Sequence, residues 1–248
     1  MKKYIHHFVT AILCLVYVNS QAEQISMAFG EKIPPFCFPE TNSGIELEVI
    51  GEALAHKGHT LAPQYFPLGR VPYSFKTKVT DAAMTDMGQD LSRHGGHYGD
   101  PAVIYENVLI TLKHRELKIE TPSDLADLSV MSFQGALNRY PEWLAQPNKE
   151  GKFRAHSNQE LQIKNLYRGR FDVVLSDRNI FKYFMLKRKK DTGNPIIEIQ
   201  EHVFTKLNPL NYRPIFRSKK IRDDFNEGLK FLKESGRFQK IYDNYLKE

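Results

Sequence analysis

The chain has 248 residues, with 41 % hydrophobic and 26 % charged positions, which is enough apolar material for one or two packed domains rather than a disordered chain. The net charge is a mild +6, and apart from the run KRKK at 187–190 the basic residues are scattered, so no basic patch with base-stacking aromatics marks a nucleic-acid surface. There are two cysteines, Cys14 and Cys37. Cys14 falls in a leader segment, which leaves nothing for an internal disulfide.

Residues 1–22 carry the three parts of a secretory signal: Lys2 and Lys3, an apolar core at 8–18 too short to span a bilayer, and small residues at Ser20 and Ala22. Cleavage is expected after Ala22. No later apolar run reaches membrane-spanning length, so the mature chain is expected to be soluble and periplasmic.

Residues 25–29 (ISMAF) read as a first strand. The proline-rich loop that follows carries Phe36 and Phe38, aromatics that could stack on a ligand or plug the core. Ser43 is a plausible N-cap for a helix whose apolar positions Ile45, Val49, Ile50, Ala53 and Leu54 recur at helical spacing until Gly58. Residues 59–66 are a second strand, 72–78 a short helix and 82–84 a third strand. This βαβαβ series predicts a parallel sheet.

The central stretch 79–112 then breaks into a polar, glycine-rich loop holding Asp86, Asp90, Arg93, His94 and His97, before a second apolar run at 108–112. Loops at the carboxyl ends of strands in open α/β sheets bind ligands, and a lone arginine there could clamp a carboxylate or merely face solvent. TPSD at 121–124 predicts a helix start, 128–133 a strand, and Gln134-Gly135-Ala136 a turn into a helix, either an anion site or a plain strand-to-helix turn. A helix at 160–167 leads to a strand at 171–175, with Asp177 just beyond it as a ligand for a cation or a helix cap. Ser218 predicts the start of a helix ended by Gly236, and one more helix follows. Arg93 for a carboxylate, Asp177 for an ammonium, and the N–H groups at Gly135 and Ala136 together suit an amino-acid zwitterion.

The order of SGIELEVIGEALAHKG, VTDAAMTD, SRHGGHYGDP, SDLADLSVMSFQG, LYRGRFDVVLSD and FNEGLKFLKESGRFQKIYDNYLKE resembles the extracytoplasmic solute-binding proteins of family 3, the polar amino-acid binding proteins of ABC transporters. The resemblance implies an α/β, two-lobed periplasmic-binding-protein-like fold of type II, with two crossover strands as a hinge. It implies a first lobe at 23–112 plus 205–248 and a second at 113–204. It places the family's carboxylate contact on Arg93, its ammonium contact on Asp177 and a main-chain contact on Ala136. Gly135, Phe36, Phe38 and Asp86 complete the expected ligand-binding set, and no cofactor or metal is expected. The expected partners are a small amino-acid-like ligand and an ABC permease or a sensor protein, met by a monomer. Two other classes are open: a dehydratase on the same fold, using Asp86 or Asp90 as acid, and a metal site at His94 and His97 with Asp90 and Asp100.

Overall fold

The computed structural model describes residues 22–31, 33–206 and 212–246. The expected leader and its cleavage lie outside these residues, apart from Ala22. In chain order the elements are β1 (Gln24–Gly30), α1 (Ile45–Ala55), β2 (Thr60–Phe66), α2 (Val71–Lys76), β3 (Ala82–Ala83), β4 (His97–Tyr98) and β5 (Asn107–Leu112). They continue with β6 (Val130–Ser132), α3 (Ala136–Arg139), α4 (Pro141–Lys149), β7 (Phe153–Ala155), α5 (Glu160–Tyr167), β8 (Val173–Asp177) and α6 (Arg178–Thr192). The last are β9 (Ile199–His202), β10 (Ile215–Phe216), α7 (Lys219–Glu234) and α8 (Arg237–Leu246).

The strands form two sheets, in the orders β2-β1-β3-β10-β4 and β7-β6-β8-β5-β9. The βαβαβ expectation holds for β2, β1 and β3, which run parallel, while β10 returns antiparallel between β3 and β4. The second sheet is likewise mixed: β6 runs parallel to β7 and β8, and β5 antiparallel to β8 and β9. The chain crosses from the first sheet to the second between β4 and β5, and returns between β9 and β10.

One boundary differs from the expected lobes. The expected first lobe runs to 112, yet β5 is buried along its whole length between β8 and β9. Strands buried on both faces read as continuous apolar runs wherever they lie, so NVLITL marks a central strand without saying whose. The first crossover therefore ends before Asn107.

Helix ends follow local chemistry. The Ser218 hydroxyl accepts from the Ile221 N–H and caps α7, as its sequence predicts. Ser43 does not cap α1: Gly44 occupies the N-cap, and the Ser43 backbone pairs with Phe38 instead. TPSD forms a capping box on a single short 3-10 turn rather than a longer helix. The KRKK run closes the solvent face of α6. In the first lobe α7 lies across α1, burying Ile221, Phe225, Leu229 and Leu232 over Val49, Ile50 and Ala53. Each such side chain contributes about 1.5–3 kcal/mol by leaving water.

Candidate functional site in the interlobe seam

The site is built where the carboxyl ends of strands from both sheets meet the crossovers. Met84 and Thr85 follow β3, Phe133 follows β6, and Asp177 ends β8. Tyr105 comes from the outgoing crossover, Asn107 opens β5, and Tyr212 comes from the returning crossover. All of these border one cavity of about 30 Å³, space for roughly two water molecules.

Asp177 is the acid of this cavity. It is 2 % exposed. Its Oδ1 accepts from the N–H groups of Asn179 and Ile180, at 2.9 and 3.0 Å, and so caps α6. Its Oδ2 accepts from the Glu106 N–H at 2.7 Å. The cap and the cavity-lining roles thus coincide in one carboxylate. Burial pushes its pKa up to about 7, with the three backbone donors pulling the other way. Among the described residues no cation pairs with it.

The wall facing Asp177 is aromatic. Tyr105 and Tyr212 rings lie 4.9 Å apart, and Phe133 stands 6.5 Å from Tyr212. Behind Tyr105 sits Glu46 of α1, 1 % exposed. Its Oε1 accepts from the Tyr105 hydroxyl at 3.0 Å, and its Oε2 has no partner among the described residues. Burial pushes this carboxyl up to about 8, the Tyr105 hydrogen bond opposing.

The other expected residues are placed as follows. Arg93 stands on a short 3-10 turn with its side chain 85 % exposed, paired with Asp90 at 3.4 Å. It does not border the cavity, and the structure does not bring Arg93 and Asp177 together. Asp86 lies in the seam, where its Oδ1 accepts from Arg139 Nη2 at 2.6 Å and its Oδ2 from the Tyr98 hydroxyl at 2.9 Å. Gly135 takes the left-handed φ of 86° that starts α3, and a Cβ there would sit 2.7 Å from Met87 Cε. Met87 therefore covers the turn, and the Ala136 N–H is turned inward to the Phe133 carbonyl at 3.3 Å.

Phe36 is fully buried and packs on Tyr105 at 4.4 Å; Phe38 packs between Tyr183 and Tyr245. Both serve as packing: Phe36 is one ring removed from the cavity through Tyr105, whereas neither ring against Phe38 borders it. His94 is exposed, His97 lies in β4, and among the described residues no group of three or more His, Cys, Asp or Glu side chains gathers at metal-holding distance. Asp90 is exposed and Asp86 is engaged by Arg139, so neither is the buried acid that a dehydratase calls for.

Tyr105, Asn107, Gln159, Tyr212, Arg139 and Glu46 escaped the sequence reading. Only Glu46 left a signal, a carboxylate on the apolar face of α1 in line with Ile50 and Ala53.

The two sheets, the double crossover and the cavity at the strand ends define the class: a two-lobed α/β fold of the periplasmic-binding-protein type. No family model matches the chain. It is 22 % identical over 240 residues to the arginine-binding periplasmic protein of Mannheimia haemolytica, spanning 92 % of this chain and 93 % of that one. A structure from a study of glutathione import via GshT and the cystine ABC importer TcyBC of Streptococcus mutans superposes with a TM-score of 0.71 at 18 % identity, covering 91 % of this chain and 95 % of that one. An ancestral amino acid-binding protein, AncCDT-1, a precursor of cyclohexadienyl dehydratase, superposes with a TM-score of 0.66 at 17 % identity, covering 90 % and 96 %. The likeness runs through amino-acid-binding members of this fold, over nearly the whole chain.

Proposed function

We propose that the protein is an exported, monomeric solute-binding protein that takes a small polar solute, an amino acid or a close relative, into the seam between its lobes and passes it to a membrane transporter or sensor. Asp177 carries this reading: a buried carboxylate at a strand end, bordering a cavity shared by both lobes, with no cation beside it among the described residues. The solute's ammonium is the natural counter-charge. The whole-length likeness to amino-acid-binding proteins supports the same class.

Thermal-shift screening of the purified mature chain against amino acids and related amines tests it. A ligand bound only by the folded state adds about 4 kcal/mol at a thousandfold excess over Kd. No shift with any of them would overturn the reading. Calorimetry on Asp177→Asn, which keeps a cap-forming side chain but not the charge, is expected to show a loss of roughly thirtyfold or more, since a buried ligand charge left unpaired costs about 2–5 kcal/mol. Arg93→Ala is expected to bind like the parent. Intact mass of periplasmic protein beginning at Glu23 tests the proposed export and cleavage.

A further inference from the structure

Resting on the reading just given, we propose that the ligand of this site is a small amine without a free carboxylate, its ammonium held by Asp177 and Gln159 against the rings of Tyr105, Tyr212 and Phe133. The cavity's chemistry is one-sided. Two of its polar groups have acceptor capacity to spare. Asp177 receives three backbone N–H groups, and a carboxylate offers about four lone-pair sites. Gln159 is 3 % exposed, borders the cavity, and its Oε1 has no partner among the described residues. A buried acceptor left bare is costly, and an ammonium, with donors only, satisfies both at once.

The aromatic wall suits the same guest, because a desolvated cation is attracted to ring faces. A buried carboxylate would need a cation beside it, which the described lining lacks. Among the described residues no lysine, arginine or histidine borders the cavity. The turn at Gly135 lies under Met87, and the Ala136 N–H already has its partner. Arg139, with its guanidinium 4.6 Å from the Tyr212 ring centroid, is engaged by Asp86. Of the remaining lining, Asn107 Nδ2 donates to the Tyr212 hydroxyl and Thr85 Oγ1 accepts from the Met87 N–H, while Ile33, Leu68, Met84 and Ile180 are available to a hydrocarbon tail.

Calorimetry and thermal shift with matched pairs decide this: phenylalanine against phenethylamine, leucine against 3-methylbutylamine, arginine against agmatine, and 3-phenylpropionate as the acid without an ammonium. The expected result is that at least one amine binds tighter than its amino acid by about tenfold or more, the size of one charge-assisted hydrogen bond, and that the acid does not bind. Asp177→Asn should weaken that amine roughly thirtyfold or more, the loss expected of an unpaired buried ligand charge. Gln159→Leu should weaken it by about fivefold or more without lowering the melting temperature of the ligand-free protein, which separates a ligand contact from a structural one. An amino acid binding as tightly as its amine would overturn the proposal and leave solute capture standing. If the amines and amino acids all fail to bind, solute capture fails with it.

Discussion

Arg139 Nη2 of α3 lies 2.6 Å from Asp86 Oδ1 in the loop after β3, an ion pair that spans the two lobes with side chains only 11 % and 16 % exposed. The pair is attached to both lobes but not to the hinge. Breaking it should therefore open the seam before it unfolds either lobe. Asp86→Asn and Arg139→Gln are each expected to enlarge the radius of gyration of the ligand-free protein in small-angle scattering. The coupling energy in the double-mutant cycle should be about 0.5–3 kcal/mol. Identical scattering from parent and variants would show that the pair does not hold the lobes together.

Glu46 and Asp177 give the stability a pH dependence with a definite sign. Both carboxyls have raised folded pKa values, from 4.5 to about 8 and from 3.8 to about 7. The unfolded chain releases these protons first, so their contribution is fully present below about pH 4 and is lost as pH rises to 7–8. Glu46→Gln keeps an acceptor for Tyr105 and removes the buried charge. Measured by urea unfolding, the variant is expected to gain on the parent steadily from pH 5 to 8, by on the order of 2–4 kcal/mol at the top. A difference independent of pH would mean that Glu46 does not titrate in this window.

At Gly228 the backbone of α7 lies close against α1. A Cβ at this position would lie 1.9 Å from the Ala53 carbonyl oxygen, a backbone atom that cannot swing aside. Gly228→Ala is expected to cost about 1–3 kcal/mol or more by forcing the helices apart, and to lower the melting temperature by about 2–4 °C per kcal/mol. Calorimetric melting of the variant checks this, and an unchanged midpoint would mean that the two helices shift freely.

Much of the architecture was legible because its signals are local. Apolar runs gave β1, β5, β6 and β8, helical spacing gave α1 and α7, and Ser218 gave its cap. What periodicity lacks is partnership. It cannot say that β5 belongs with β8, or that β10 returns antiparallel into the first sheet, because these pairings are settled by distant segments. The site shows the same divide. Asp177 was found because a polar residue directly after a clean strand is a local pattern. Arg93 shares its loop with the seam but stands on the turn Ser92–His94, none of whose residues is buried, and nothing local in the sequence tells such a turn from one that faces the seam. Tyr212 and Gln159 reach the cavity only through tertiary packing, and nothing in their neighbourhoods announces it.

The double crossover also sets an order of assembly. The second lobe is one uninterrupted stretch of chain, so all of its strands are available as soon as that stretch has been made. The first lobe is not: β3 and β4 have β10 between them, and α1 is covered by α7, both supplied by the far end of the chain. Pairings of such long sequence separation form slowly. The N-terminal lobe is thus begun first and finished last, and a chain shortened before residue 215 would lose an interior strand from the lobe that its own beginning builds.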